Sequence, residues 1–254
     1  MDEATDLRDI LESWPFDASK DSRYVKLPDG RTVLQVRLPL GVEQYELEGR
    51  PDGHRFHGKE SVLDFHLQRF ATAKAAGKAE KFALTPPECA ELFDEGTLYY
   101  LRYLHLFELH DWPRTVRDTG RNLKLFDFVG DHAERDEDRQ NLEKWRPYVL
   151  RMNAIAQSMI ELEAEDFAGA LHTLQTAVNK IEGLAELDDD TFRFEKMRSV
   201  GALRELLDQV KRNKPLTEME RLERDLQRAV DREQFERAAQ LRDRIKDLRK
   251  DSGQ

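Results

Sequence analysis

The chain has 254 residues with 41 basic and 51 acidic side chains, and hydrophobic residues make up 39% against 36% charged. That balance excludes a collagenous repeat, a disordered tail and a membrane-spanning chain, and it leaves room for one large domain or two small ones built of helices with solvated faces. A single cysteine, Cys89, excludes an intrachain disulfide, and the opening MDEATDLRDI carries acids where a secretory signal would be basic, so a reducing, cytoplasmic setting is expected.

Residues 24–56 carry two Pro-Asp-Gly turns, at Pro28 to Gly30 and Pro51 to Gly53. Proline fixes φ for a reversal and glycine supplies the positive φ that completes it. Between the turns Val33, Gln35 and Arg37, then Tyr45 and Leu47, alternate, which predicts two antiparallel hairpins or a three-stranded meander. From Ser61 the period changes: Val62, Phe65, His66, Leu67 and Phe70 share a helical face, and the ATAKAAGKAEK behind them is expected to be a linker.

Thr85-Pro-Pro-Glu88 places a hydroxyl at an N-cap, proline at the first helical position and a carboxylate able to reach back, so a helix starts there. Leu98, Leu101, Tyr103, Leu104, Leu106, Phe107 and Leu109 make it apolar around much of its circumference, as a central bundle helix would be. Asp111 then caps a second helix running toward Gly130. A third, through Leu142, Trp145, Leu150, Ile155, Met159 and Leu162, has a breaking point at Pro147, and Asp166 caps a fourth through Ala170, Leu174, Val178 and Ile181.

Asp111-Trp112 and Asp166-Phe167 stand 55 residues apart at equivalent corners, with a small residue, Thr115 or Ala170, shortly after each. The pattern faintly resembles a tetratricopeptide-type repeat, although that family's period is about 34; a plain helical bundle is the other reading. An acidic linker is expected over residues 184–191, followed by a helix through Val200, Leu203, Leu206, Leu207 and Val210.

Residues 215–250 read as two amphipathic helices. Thr217 with Glu220 forms a capping box; Leu216, Met219, Leu222, Leu226 and Val230 make one seam, Phe235, Ala238, Leu241, Ile245 and Leu248 the other, and residues 231–234 the bend of an antiparallel, coiled-coil hairpin. The stretch AVDREQFERAAQLRDRIKDL resembles the UVR motif, a hairpin found in UvrB, UvrC, the chaperone ClpC and the kinase activator McsA. The resemblance rests on Phe235, Glu236, Ala238, Ala239, Leu241, Arg242, Asp243 and Ile245. It implies docking to another hairpin or a partner helix, with Phe235, Ala238, Ala239, Leu241, Arg242 and Ile245 as the partner-binding residues. No G-x-x-x-x-G-K-[ST] loop and no zinc-binding cysteine pairs accompany it. A hairpin this short cannot offset its chain entropy alone and needs something to pack on, either a partner or the protein's own bundle.

Residues 214–250 hold eleven basic and nine acidic side chains, leaving thirty basic and forty-two acidic in the rest of the chain. That is poor equipment for gripping phosphates, so direct nucleic-acid binding is not expected. His54, His57 and His66, and His105, Glu108 and His110, lack a metalloprotease pattern, and surface or sheet-edge histidines are expected in place of a metal site. Cys89 near a helix start is either a lowered-pKa thiol or, the preferred reading, a buried filler. Trp112, Trp145 and Tyr148 with Arg114, Arg117, Arg121, Arg146 and Arg151 are either a groove for an acidic peptide or core aromatics beneath a solvated basic face. The polar loop at residues 50–61 is a weak hint of ligand contact.

The expected class is α+β, mostly α: a small β-rich region with one helix at residues 1–80, a helical-hairpin bundle at 85–212 and the C-terminal hairpin at 215–250. The expected function is a non-enzymatic cytoplasmic adaptor that docks a protein partner or a second copy, with no catalytic residues, cofactor or membrane contact. The alternatives are an accessory factor of nucleotide excision repair that contacts UvrB- or UvrC-type proteins or DNA, and a hydrolase or transferase using the loop at residues 50–61.

Overall fold

A computed structural model describes residues 6–215, 218–232 and 234–251. The chain is α+β and mostly α, as its patterning predicts, and divides into two compact units, Met1–Leu207 and Asp208–Gln254.

The first unit opens with a short helix α1 (Arg8–Ser13) and a three-stranded antiparallel meander, β1 (Ser22–Lys26), β2 (Thr32–Leu38) and β3 (Gly41–Glu46). Gly30 completes the first reversal at φ 89°. The second reversal is at residues 39–40, pairing Leu38 with Gly41, whereas the second Pro-Asp-Gly turn follows β3. Glu46 donates its N–H to the Pro51 carbonyl there. Alternation on β2 is also weaker than expected, because Val33, Leu34, Val36 and Arg37 are all buried and the central strand is covered on both faces. On one face Leu34, Val36, Tyr45 and Leu47 pack with Leu106 of the central helix.

Helix α2 (Val62–Ala75) continues through the alanines expected to be linker and stops before Gly77 (φ 67°). Ser61 caps it, accepting from the Asp64 N–H. Helix α3 (Pro86–Glu108) begins at Thr85, whose N–H and hydroxyl both donate to Glu88 at 2.8 and 3.0 Å. α4 (Trp112–His132), α5 (Asp136–Glu143), α6 (Arg146–Glu163), α7 (Phe167–Glu182) and α8 (Asp190–Asn213) follow. The break lies at residues 144–145, with Pro147 in the first turn of α6 where its missing N–H costs nothing. Asp189 accepts from the Phe192 N–H, so α8 starts inside the acidic stretch expected to be linker.

The corners α3–α4 and α6–α7 are near copies. His110 and Glu165 sit at φ 58° and 59°. The next residues, Asp111 and Asp166, donate N–H to the carbonyls of Leu106 and Glu161, 2.8 Å each, closing the preceding helix. Their carboxylates accept from Arg114 N–H and Gly169 N–H. Thr115 and Ala170 are fully buried, as close approach of the paired helices requires.

Two buried charges on α3 tie neighbouring elements to it. Arg102 on α3 forms a two-pronged pair with Asp118 on α4 (2.7 and 2.8 Å), and its remaining nitrogen donates to the Glu46 and Gly49 carbonyls. Glu95, fully buried on α3, accepts from the N–H groups of Val62 and Leu63 at 2.7 and 3.0 Å and pairs with Arg121. It therefore caps α2 from another element.

The second unit contains α9 (Glu218–Asp231) and α10 (Phe235–Asp251), packed on one another. Among the described residues no helix is long and apolar enough to cross a membrane.

Candidate functional site

Within the C-terminal hairpin the sheltered positions follow a three-four-three spacing. On α9 these are Met219, Leu222, Leu226 and Ala229, and on α10 Ala238, Leu241, Ile245 and Leu248. Leu222, Ala229 and Ile245 are buried and the others half-buried. That spacing keeps one stripe in register along a helix pair. It corrects the expected seams at two positions: Val230 is exposed and Ala229 is buried in its place, because a heptad stripe through 219, 222 and 226 meets 229 and not 230, and Phe235, expected to begin the second seam, is exposed. Leu216 and Thr217, and with Thr217 the expected capping box, lie outside the described residues.

The bend is fixed by backbone bonds from Gln234 N–H to the Ala229 carbonyl (2.8 Å) and from Ala238 N–H to the Gln234 carbonyl (2.9 Å). Phe235 opens α10 there with 71% of its surface exposed, and Val230 is 47% exposed on the other side of the bend. Of the residues expected to bind a partner, Ile245 is buried, Ala238, Ala239 and Leu241 are half-buried, and Phe235 and Arg242 are open. Only the open and half-open members can meet another surface without rearrangement. Val230 joins them although periodicity alone assigned it to the interior. The Gln227 amide donates to Asp231 (2.8 Å), holding the last turn of α9.

Of the other candidates, Trp112, the arginines and Cys89 take structural roles, whereas Trp145 and Tyr148 line a cavity between helices. Trp112 is buried and donates Nε1–H to Glu163 at 2.8 Å, away from a groove. The arginines expected to await an acidic peptide are engaged by the chain's own acids: Arg114 and Arg117 by Glu48, Arg121 by Glu95, Arg146 by Glu143 and Asp127, and Arg151 by Glu195 at 3.7 Å. Burial raises the Asp111 carboxyl, and hydrogen bonds from Arg114 and Tyr24 more than offset this, leaving it below the usual carboxylate range. Cys89 is buried and its thiol is pushed up to about 11 by that burial, which is the filler reading.

His54 is exposed at a turn, His57 lies against Phe56 and Phe65, and His66 is buried with Nδ1 at 2.8 Å from Arg69. Burial holds His66 below the ordinary imidazole value. Asp21, His105 and Glu108 bring one ligand atom each within 4.8 Å of one another, with Glu108 exposed. His105 Nδ1 is already 3.4 Å from both the Ser22 hydroxyl and the Glu108 carboxylate.

No curated protein and no solved structure matches the chain. The family model described as the UvrB/uvrC motif, UVR, matches residues 217–251, so α9 and α10 are the UVR-type part of this chain.

Proposed function

We propose that the chain is a non-catalytic, cytoplasmic adaptor that docks a protein partner through its C-terminal hairpin. UVR-type hairpins are interaction modules, and the observation that carries the reading is the open apolar pair at the bend, Phe235 and Val230. An exposed ring and an exposed branched side chain on the two sides of one bend, with arginines and acids in the adjoining sequence, have the make-up of a docking anchor. Ala238 and Ala239 keep α10 slim enough for a partner helix to approach.

Truncation after Lys214 removes the hairpin. Loss of partner capture by the truncated chain, with the cooperative melting of the first unit retained, is the expected result. Undiminished capture would refute docking through α9 and α10.

The name of the motif favours one second reading, an accessory factor of excision repair that meets UvrB- or UvrC-type proteins or DNA. The near balance of eleven basic and nine acidic residues over residues 214–250 speaks for the protein partner. Tight, salt-sensitive retardation of single-stranded or damaged DNA in a gel-shift titration would reverse that ranking.

A further inference from the structure

Helices α3, α4, α6 and α8, with the end of α5, surround a cavity of about 350 Å³. Small-ligand sites span about 300–1,000 Å³, so the space suits a one- or two-ring guest. Its wall is aromatic, made by Phe93, Tyr100, Tyr103, Phe126, Trp145 and Tyr148. Tyr100 stands edge-on to Tyr103 and to Tyr148, with ring centroids 5.6 and 6.0 Å apart. Rings fixed at steep angles offer both faces and edges to a flat guest.

Two residues of this wall each carry a buried oxygen that lacks a hydrogen bond. Asn122 is 2% exposed; its amide nitrogen donates to the Gly96 carbonyl at 2.9 Å and lies beside the Tyr103 hydroxyl, but Oδ1 receives nothing. Glu195 is also buried, and its Oε2 receives no hydrogen bond, with Arg151 Nη2 standing 3.7 Å away, beyond bonding reach. Both atoms are acceptors, so what the cavity lacks is a donor.

The surrounding charges decide what kind of donor fits. Glu195 is flanked by Arg151 and Arg198, each at 3.7 Å. A cationic guest would face two guanidiniums against one carboxylate, a net repulsion that a low-dielectric cavity magnifies. A neutral ring bearing N–H escapes it.

We infer that this cavity is a binding site for a neutral, planar heteroaromatic group carrying an N–H donor, with an aminopurine as the representative guest. The ring lies among Tyr100, Trp145 and Tyr148, and its amino group points at Asn122 Oδ1. None of this depends on the hairpin, so the site stands or falls separately from partner docking.

Isothermal titration of the full chain with three probes tests it: adenosine, N6,N6-dimethyladenosine, which lacks the exocyclic N–H, and agmatine, a guanidinium cation. Adenosine binds in the micromolar to sub-millimolar range, and removing the donor weakens binding about tenfold, the worth of one hydrogen bond. Agmatine binds more weakly than adenosine. Tyr100→Ala removes a partly exposed wall, and Thr97→Trp fills the space from an exposed position on α3; each lowers adenosine affinity by about tenfold or more. Both variants are melted beside the parent chain, and if one does not fold the other carries the test. No heat with millimolar adenosine, equal binding of the dimethyl analogue, preference for agmatine, or undiminished affinity in a folded variant overturns the assignment.

Discussion

Replacing Phe235 with alanine separates a docking anchor from an internal buttress. A phenylalanine side chain offers roughly 200 Å² to a packed environment, and with 71% of the residue open, about 140 Å² remains for a partner to cover. At about 25 cal/mol per Å² complete covering is worth about 3.5 kcal/mol, of which alanine's methyl retains a part, so the loss is about 2–3 kcal/mol. Affinity for the captured partner, or for a second copy, then falls about 30- to 150-fold. The folded chain hardly notices: an exposed position contributes within about 0.5 kcal/mol, and the melting temperature moves by no more than about 2 °C. The assay pairs a thermal melt with an equilibrium binding or sedimentation measurement on the same preparation. A fall of about 5 °C or more with affinity per folded molecule unaltered would mean that the ring props up the chain itself. No change in either quantity would remove the anchor altogether.

Asp118→Ala leaves Arg102 buried without its counter-charge, and the first unit should lose about 3–5 kcal/mol, or about 6–20 °C in melting temperature; exchanging both residues for Met and Leu recovers most of it, and a single variant that melts like the parent refutes the argument. Glu165→Gly relieves a left-handed residue that no aromatic contact compensates and should stabilise by about 0.5–1 kcal/mol, read as a rise in urea midpoint; Glu165→Ala should give no such rise. Burial lowers the His66 pKa in the folded chain, so the unfolded chain binds the extra proton: stability is full above the ordinary value of about 6.5 and is lost as pH falls through and below it. Urea melts between pH 7 and pH 5 should therefore flatten in His66→Gln, and an unchanged slope would assign the pH dependence to other groups.

The elements legible in the sequence were those whose signals are local. Thr85 with Glu88 announces α3, and Asp111 and Asp166 announce two matching corners, because each cap is made within four residues of its own helix. The capping of α2 by Glu95 was not legible, since an acid in the middle of one helix gives no sign of which distant N–H groups it will meet. The Pro39–Leu40 reversal carries no glycine between its strands and is outweighed in the sequence by the Pro-Asp-Gly signal at residues 51–53, which lies past the end of β3. At the hairpin the motif was plain, but a helical wheel of 3.6 residues per turn cannot tell Ala229 from Val230; the pairing of two helices, which favours 3.5, makes that choice. The aromatic cavity drew its walls from four helices. The sequence offers Trp145 and Tyr148 as groove aromatics, but the unpaired oxygens of Asn122 and Glu195 emerge only when the helices are assembled.

The lone thiol in the first turn of α3 turns the chain into its own clock. Cys89 is sealed and protonated at neutral pH, so a thiol reagent must wait until the surrounding helices part. With no second cysteine to confuse the signal, the rate of labelling under native conditions measures how often the neighbourhood of α3 opens, and its slope in dilute denaturant separates local fraying from wholesale opening. The hairpin contributes no thiol to that record. A partner captured there that slows labelling at Cys89 would therefore reveal communication between the two units, without any label being added to the protein.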